Sequence, residues 1–197
     1  MKMNFCPRCG RQLEVRLFGE RERPQCLVGE GGCGFVDFGH YSLGVGGVVV
    51  TTGEDGISRA LLIQRGEEPN RGGWTIPGGF VEFDEIADVA VVREVKEETG
   101  LECQVVGLMG FRNRADPHDN NSYAVFLLEV IGGVLVADPT DEIAQAGFFS
   151  LEEMRTMPRL APLSFELAAA GIEKRVRLFK PVTVQGVNGR PPFTLFM

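Results

Sequence analysis

Apolar and polar positions divide most of this chain into short blocks with recognisable periods. Residues 42–52 (SLGVGGVVVTT) are apolar and β-branched, the composition of a buried strand. Gly53-Glu54-Asp55-Gly56 is turn chemistry, and residues 58–65 (SRALLIQR) form a second strand-like run, so the pair reads as a hairpin. A polar loop over residues 66–73 leads to the short run Trp74-Thr75-Ile76, which Pro77-Gly78-Gly79 interrupts. From residue 84 to 98 the period changes. Ala87, Ala90, Val91 and Val95 recur at three- and four-residue steps and predict a helix with one apolar stripe. Asp84 is placed to cap its start and Gly100 to end it. Strands are expected at residues 104–112 and 122–130, separated by a polar loop, with a further short strand at Phe148-Phe149. Ser150-Leu151-Glu152-Glu153 has the spacing of a capping box, and a last helix is expected over residues 163–174. Beyond residue 175 the chain holds strand-like fragments broken by proline and glycine.

Composition narrows the class. With 197 residues, 44% of them apolar and 24% charged, the chain can bury one full core with a small appendage. Twenty basic against 27 acidic residues give a net charge of −7. Long-range attraction to nucleic acid or to an anionic membrane is therefore disfavoured, and a phosphate-bearing substrate would need cations as mediators. No apolar run reaches the length of a membrane span, and the start lacks a basic-then-apolar leader. The expected location is the cytoplasm.

Four of the five cysteines lie in the first 33 residues. In a reducing compartment such a cluster reads as metal ligation rather than disulfides. Cys6-Pro7-Arg8-Cys9-Gly10 places two thiols at knuckle spacing, and Cys26 and Cys33 supply a second pair. Four thiolates make a closed tetrahedral site, hence structural zinc, and a small zinc ribbon is expected over residues 1–40. The second pair is seven residues apart where a standard ribbon has two intervening residues, so the glycine-rich stretch between should form a longer turn, with His40 as a substitute ligand. Cys103 is expected in the core.

The helix over residues 84–98 also carries Arg93-Glu94-Val95-Lys96-Glu97-Glu98. Glu94 and Glu98 fall one turn apart on one face with Glu97 beside them, near the end of the helix where the macrodipole disfavours negative charge. A hard divalent cation such as Mg²⁺ would offset that repulsion. Over residues 79–101 (GFVEFDEIADVAVVREVKEETGL) the fixed positions are Gly79, Glu85 after five residues, Arg93-Glu94 after seven more, then an aliphatic residue, Glu97-Glu98, Gly100 and another aliphatic. This segment resembles the Nudix box at every fixed position.

The resemblance implies an α/β fold, an α/β/α sandwich with a mixed sheet over residues 41–174, preceded by the ribbon and followed by a C-terminal extension over residues 175–197. It implies a Mg²⁺- or Mn²⁺-dependent pyrophosphohydrolase. Glu94, Glu97 and Glu98 look like the metal ligands, completed by the carbonyl of Gly78, with Gly79 at the start of the box. Arg93 would orient Glu94, and Glu85 would pair with Arg93 from about two helical turns earlier. The general base stays open between Glu94 and Glu142, the latter at a position where the family often carries an extra acidic group; a plain surface carboxylate is the other reading of Glu142. The segment GLMGFRNRADPHDNNSY lacks the motif of NADH pyrophosphatases, Pro117 lies near a proline of ADP-ribose-hydrolysing members, and residues 141–174 resemble zinc-ribbon FAD and ADP-ribose pyrophosphatases. A nucleotide-derived substrate follows, ADP-ribose or FAD first, with NADH or another dinucleotide as the alternative. A non-catalytic nucleotide sensor is the reading from another class, and the intact box argues against it. Trp74, Phe80, Phe83, Phe111 and Tyr123 are candidates for base stacking, with core packing the default, and Arg65, Arg71, Arg112 and Arg114 for phosphate contacts. His118 is expected to face solvent. The tail would pack on the catalytic domain or on a partner subunit in a homodimer.

Overall fold

The computed structural model describes residues 3–39, 41–115, 120–136, 142–185 and 191–197. His40, Pro117, His118 and Asp141 lie outside the described residues. The chain divides into two compact units: residues 1–42 with 114–121, and residues 43–113 with 122–197.

In the first unit, β1 (Glu14–Phe18) and β2 (Arg21–Gln25) form an antiparallel hairpin with Phe18 opposite Arg21. The sequence reading did not anticipate these strands, because Arg and Glu fill half of their ten positions. The core here is small: Cys6, Leu13 and Cys26, with Met3 and Phe35 against them. Such a unit buries too little apolar surface to be secure without a cross-link or metal.

The second unit is built on β3 (Tyr41–Thr52), β4 (Ser58–Arg65), β5 (Trp74–Thr75), α1 (Ala87–Thr99), β6 (Leu101–Ala115), β7 (Asn120–Gly133), β8 (Ile143–Phe149), α2 (Leu151–Thr156), α3 (Pro162–Ile172), β9 (Pro181–Val184) and β10 (Phe193–Phe196). Five strands run in the order β5-β4-β3-β7-β6, and β8 joins on β4. Ile63 and Gln64 pair with both β5 and β8, so these two strands lie on opposite edges of β4. A bulge falls between Gln64 and Arg65: Gln64 faces Gln145, but Arg65 faces Ile143.

Strand alternation sorts the core into two layers. Val45, Val49, Leu61, Phe126 and Leu128 point to one face and pack with Ala90, Val91 and Val95 of α1. Val48, Ala60, Leu62 and Val125 point to the other and pack with Met154 of α2 and Ala168 of α3. The result is the expected α/β/α sandwich. Cys103 is buried in the α1 layer. The C-terminal strands β9 and β10 pair with each other, Phe179 exchanges two main-chain hydrogen bonds with Leu108, and the Phe196 ring meets Phe126 at 5.3 Å. The tail thus packs on its own sheet.

One helix boundary departs from expectation. Helix α1 begins at Ala87 with Ile86 in the N-cap position and no side-chain cap, so Asp84 does not cap it. The chain turns instead over residues 82–86, where the Glu82 N–H donates to Glu85 Oε1 at 3.0 Å. At its other end the helix stops at Gly100, in left-handed conformation, whose N–H returns to the Lys96 carbonyl. The capping box at α2 is formed in both directions: the Glu153 N–H reaches Ser150 Oγ, and the Ser150 N–H reaches Glu153 Oε2 at 2.7 Å. No helix among the described residues is long and apolar enough to cross a membrane.

Replacing Ser150 by alanine is expected to lower stability by about 1 kcal/mol. Urea unfolding at unchanged m value measures it, and an unshifted midpoint would show that α2 stands without its cap.

Candidate active site

Residues 77–81 run along β3 and are bonded to it at alternate positions. Gly47 N–H donates to the Pro77 carbonyl at 2.9 Å, Val45 N–H to the Gly79 carbonyl at 2.8 Å, and Val81 N–H to the Leu43 carbonyl at 2.9 Å. The intervening Gly78 turns its N–H toward α1, where it meets Glu98 Oε2 at 2.7 Å. Gly78 has φ +149°, and a Cβ there would strike the Val45 carbonyl, so the position admits only glycine. At Gly79 a Cβ would fall on the Glu94 carboxylate. Two bare backbone positions therefore bring the loop against the acidic face of α1.

Arg93 organises that face. Its Nε and Nη2 grip the two Glu85 oxygens at 3.1 and 2.6 Å, Nη1 reaches Glu94 Oε1 at 3.0 Å and Glu97 Oε2 at 2.8 Å, and Nη2 also reaches the Phe80 carbonyl at 3.2 Å. A guanidinium has five N–H donors, and all five are engaged. Lysine, with three donors and no planar fork, could not replace it. Glu85 makes this contact from the turn before the helix rather than from an earlier helical turn.

The carboxylates differ in their states. Glu85 is held below the usual carboxylate range by its hydrogen bonds to Arg93 and then by the Glu82 N–H. Glu94 is pushed up, first by burial, against the pull of Arg93 and with the charges of Glu97 and Glu142 adding to the rise. Glu98, only 6% exposed, is pushed up to about 8 by burial; the Gly78 N–H and Arg65 oppose the shift, and Glu94 and Glu142 reinforce it. Glu142 is exposed, at the head of β8, where its carbonyl accepts from the Gly66 N–H. Both helix carboxylates feel its charge.

Among the described residues, the three helix glutamates are not drawn as close together as the four cysteines are. Arg93 holds Glu94 and Glu97, Gly78 holds Glu98, and mutual repulsion keeps the carboxylates apart. Their chemistry nonetheless suits a hard cation: all donors are oxygens, Glu98 is only partly compensated by the Gly78 N–H and Arg65, and the missing Cβ of Gly79 leaves room for Glu94.

A cleft of about 740 Å³ opens beside this face, with Arg65, Ile76, Gly78, Phe80 and Tyr123 among its walls. Trp74 also lines it, but packs edge-on against Phe149 in the core. Phe83 and Phe111 are exposed and do not line it, and neither does Arg71. Arg112 lies over the Tyr123 ring, 5.4 Å from its centroid. The sequence reading missed Asn70 and Arg159, which complete the outer rim; Asn70 lies in a polar loop and Arg159 in the turn between two helices, and neither stretch carries a periodic signal.

In the first unit the four predicted thiols do meet. The Sγ atoms of Cys6, Cys9, Cys26 and Cys33 lie within 4.8 Å of one another, with Cys6–Cys33 and Cys9–Cys26 each at 3.5 Å. A tetrahedron of Zn–S bonds of about 2.3 Å has edges of roughly 3.8 Å, so the spacing suits zinc. The long interval between Cys26 and Cys33 is taken up by a 3₁₀ turn over Val28–Glu30, which returns Cys33 so that its N–H donates to Cys26 Sγ at 3.3 Å. Burial opposes ionisation of Cys6, but the Arg8 and Cys9 amides and the thiols of Cys33 and Cys9 outweigh it and bring it down to about 7. A thiolate is thus accessible near neutrality at Cys6, whereas Cys26 is pushed up to about 11, the Cys33 amide opposing burial and the neighbouring thiols.

Fold and box together define a Nudix architecture. The model of the NUDIX domain family matches residues 40–170, so the chain belongs to this family and is a Nudix hydrolase. An ADP-ribose pyrophosphatase of Methanocaldococcus jannaschii is 35% identical over 162 residues, 81% of this chain and 89% of that protein. The NAD-capped RNA hydrolase NudC of Pseudomonas aeruginosa is 29% identical over 90% of this chain, which spans 59% of the length of that relative. Among solved structures, a NUDIX hydrolase from Nitrosomonas europaea superposes with TM-score 0.67 at 22% identity, covering 88% of this chain and 92% of the other, a likeness of fold.

Glu98 gives the site a distinctive pH response in metal-free protein. Its folded value of about 8 lies above the ordinary 4.5, so its stabilising contribution is complete below about 4.5 and is lost as pH rises through 8. Chelator-treated Glu98→Gln is therefore expected to melt close to wild type at pH 5 and above it at pH 8.5. Parallel melting curves across that range would refute the buried-carboxylate assignment.

Proposed function

We propose that this hydrolase cleaves the diphosphate bond of a nucleoside diphosphate linked to another moiety, releasing two monophosphates, with Mg²⁺ or Mn²⁺ held by Glu94, Glu97, Glu98 and the Gly78 carbonyl. The observation that carries this reading is the buried Glu98, bonded to the N–H of Gly78, which lines the 740 Å³ cleft. Bound there, the cation would neutralise the diphosphate and acidify a water molecule. Glu98, fixed by the Gly78 N–H, presents one oxygen from a dry setting. Arg93 keeps Glu94 and Glu97 oriented and ties them to Glu85. The proton of the attacking water passes to Glu94 or to Glu142, both of which belong to this cluster of charge. Arg65, whose charge Glu98 feels, is placed to meet a phosphate.

ADP-ribose is the first substrate, in keeping with the 35% identical relative of nearly equal length. FAD is the second, and NADH the third, the last in keeping with the NudC likeness. We assign the domains as a zinc ribbon over residues 1–40, the hydrolase domain over 41–174 and an extension over 175–197, in a cytoplasmic, reducing setting that keeps the ribbon thiols available. Zinc held by Cys6, Cys9, Cys26 and Cys33 is structural, since four thiolates leave no open position.

Turnover of ADP-ribose, FAD and NADH with Mg²⁺ is expected to fall in that order, and Glu98→Gln to lose about 100-fold or more on the best of them. Equal turnover by the variant would sink the metal-ligand assignment, and absence of wild-type turnover on every diphosphate would sink the hydrolytic reading. Purified, unstripped protein is expected to carry about one zinc per chain; less than about half an equivalent by elemental analysis would count against the ribbon.

A further inference from the structure

We infer that the end of the cleft farthest from the carboxylates is a nucleobase subsite, with Arg159 and Asn70 as its specificity-determining residues; this rests on the diphosphate reading above and names which part of the substrate lies where. Gly78, whose N–H meets Glu98, and Trp74 both line the cleft. Trp74 is paired to the segment that carries Arg159: the Trp74 N–H donates to the Arg159 carbonyl at 3.1 Å, and the Ala161 N–H to the Trp74 carbonyl at 2.9 Å. From residue 74 to residue 78 an extended chain covers roughly 13 Å. A span of up to that length exceeds the reach of a diphosphate held at Gly78 and leaves room for an attached nucleoside.

The chemistry of this end suits a flat heterocycle. Pro69, Leu160 and Pro162 give apolar walls. Arg159 and Asn70 stand on the rim, and among the described residues the Arg159 side chain has no hydrogen-bond or ion-pair partner. Both residues adopt left-handed backbone conformation, φ 58° and 68°, which non-glycine residues seldom do. Both are nevertheless tied to their surroundings: Asn70 by the Gly73 N–H, which donates to its carbonyl at 2.9 Å, and by its own N–H, which donates to Glu68 Oε2 at 3.1 Å; Arg159 by the Trp74 N–H on its carbonyl. An amide and a guanidinium on a fixed rim are the groups that read the acceptors and donors of a purine edge, and a guanidinium can also stack on its face.

AMP, which carries the base and one phosphate but no diphosphate, probes this subsite. Calorimetry with metal-free protein is expected to show AMP binding to wild type and about tenfold weaker binding to Arg159→Ala and to Asn70→Ala. With Mg²⁺, KM for ADP-ribose should rise by about the same factor while kcat stays within about twofold. Arg159→Lys, which keeps the charge but loses the planar fork, should recover only part of the affinity. Melting temperatures equal to wild type would show that the variants are folded; if Arg159→Ala is not, Asn70→Ala and Arg159→Lys decide. Failure of wild type to bind AMP, or unchanged AMP affinity and KM in folded variants, would overturn the subsite. Wild type that binds AMP in an Arg159-dependent way yet hydrolyses no diphosphate would overturn the hydrolytic reading and leave the subsite standing.

Discussion

The site depends on one costly arrangement: a carboxylate, Glu98, that is almost wholly withdrawn from water beside two others. Burial of an ionised group is tolerated only with compensation. Here the compensation is partial, one backbone N–H from Gly78 and the charge of Arg65. The strand β3 supplies that amide by holding Pro77 and Gly79 on either side. The helix supplies the carboxylate by burying Val91 and Val95 against the sheet, which fixes its rotation. Fold and site are thus one problem, because the same packing that stabilises α1 places charge where the protein alone cannot neutralise it. In the absence of another partner, the cost is met by a raised affinity of Glu98 for its proton.

Much of this was legible in the chain. The hairpin of β3 and β4 follows from two β-branched runs around a Gly-Glu-Asp-Gly turn, and α1 from four apolar residues at helical spacing. The capping box of α2 was readable because Ser150 and Glu153 satisfy each other through purely local bonds. The four cysteines could be matched as pairs, although only the structure shows how Val28–Glu30 absorbs the extra residues. The start of α1 was misplaced because Asp84 has the right chemistry for a cap, whereas Glu85 is drawn off the helix by a partner eight residues on. Strands β1 and β2 escaped notice because their residues carry little hydrophobic alternation.

The outer rim of the cleft was the least legible part. Asn70 and Arg159 come from stretches separated by nearly half the chain, and they meet only because Trp74 is hydrogen-bonded to the segment after α2. No local period encodes that pairing. The box speaks for the reaction centre because its residues sit on one loop and one helix. The part that meets the rest of a substrate is assembled from loops between sheet and helices, where sequence varies freely and pattern is weak.

The bulge in β8 gives Glu142 its place. With two residues of β8 set against one step of β4, Ile143 rather than Ala144 stands opposite Arg65, and Glu142 reaches the Gly66 amide. Residues 145–149 keep regular register on the far side of that irregularity. A regular ladder in this sequence would instead set Ala144 against Arg65 and carry Glu142 one position farther along, off the Gly66 amide, with residues 145–149 still seated. The irregularity thus uncouples two halves of one strand: the apolar half answers to the core, and the acidic head answers only to the one extra residue.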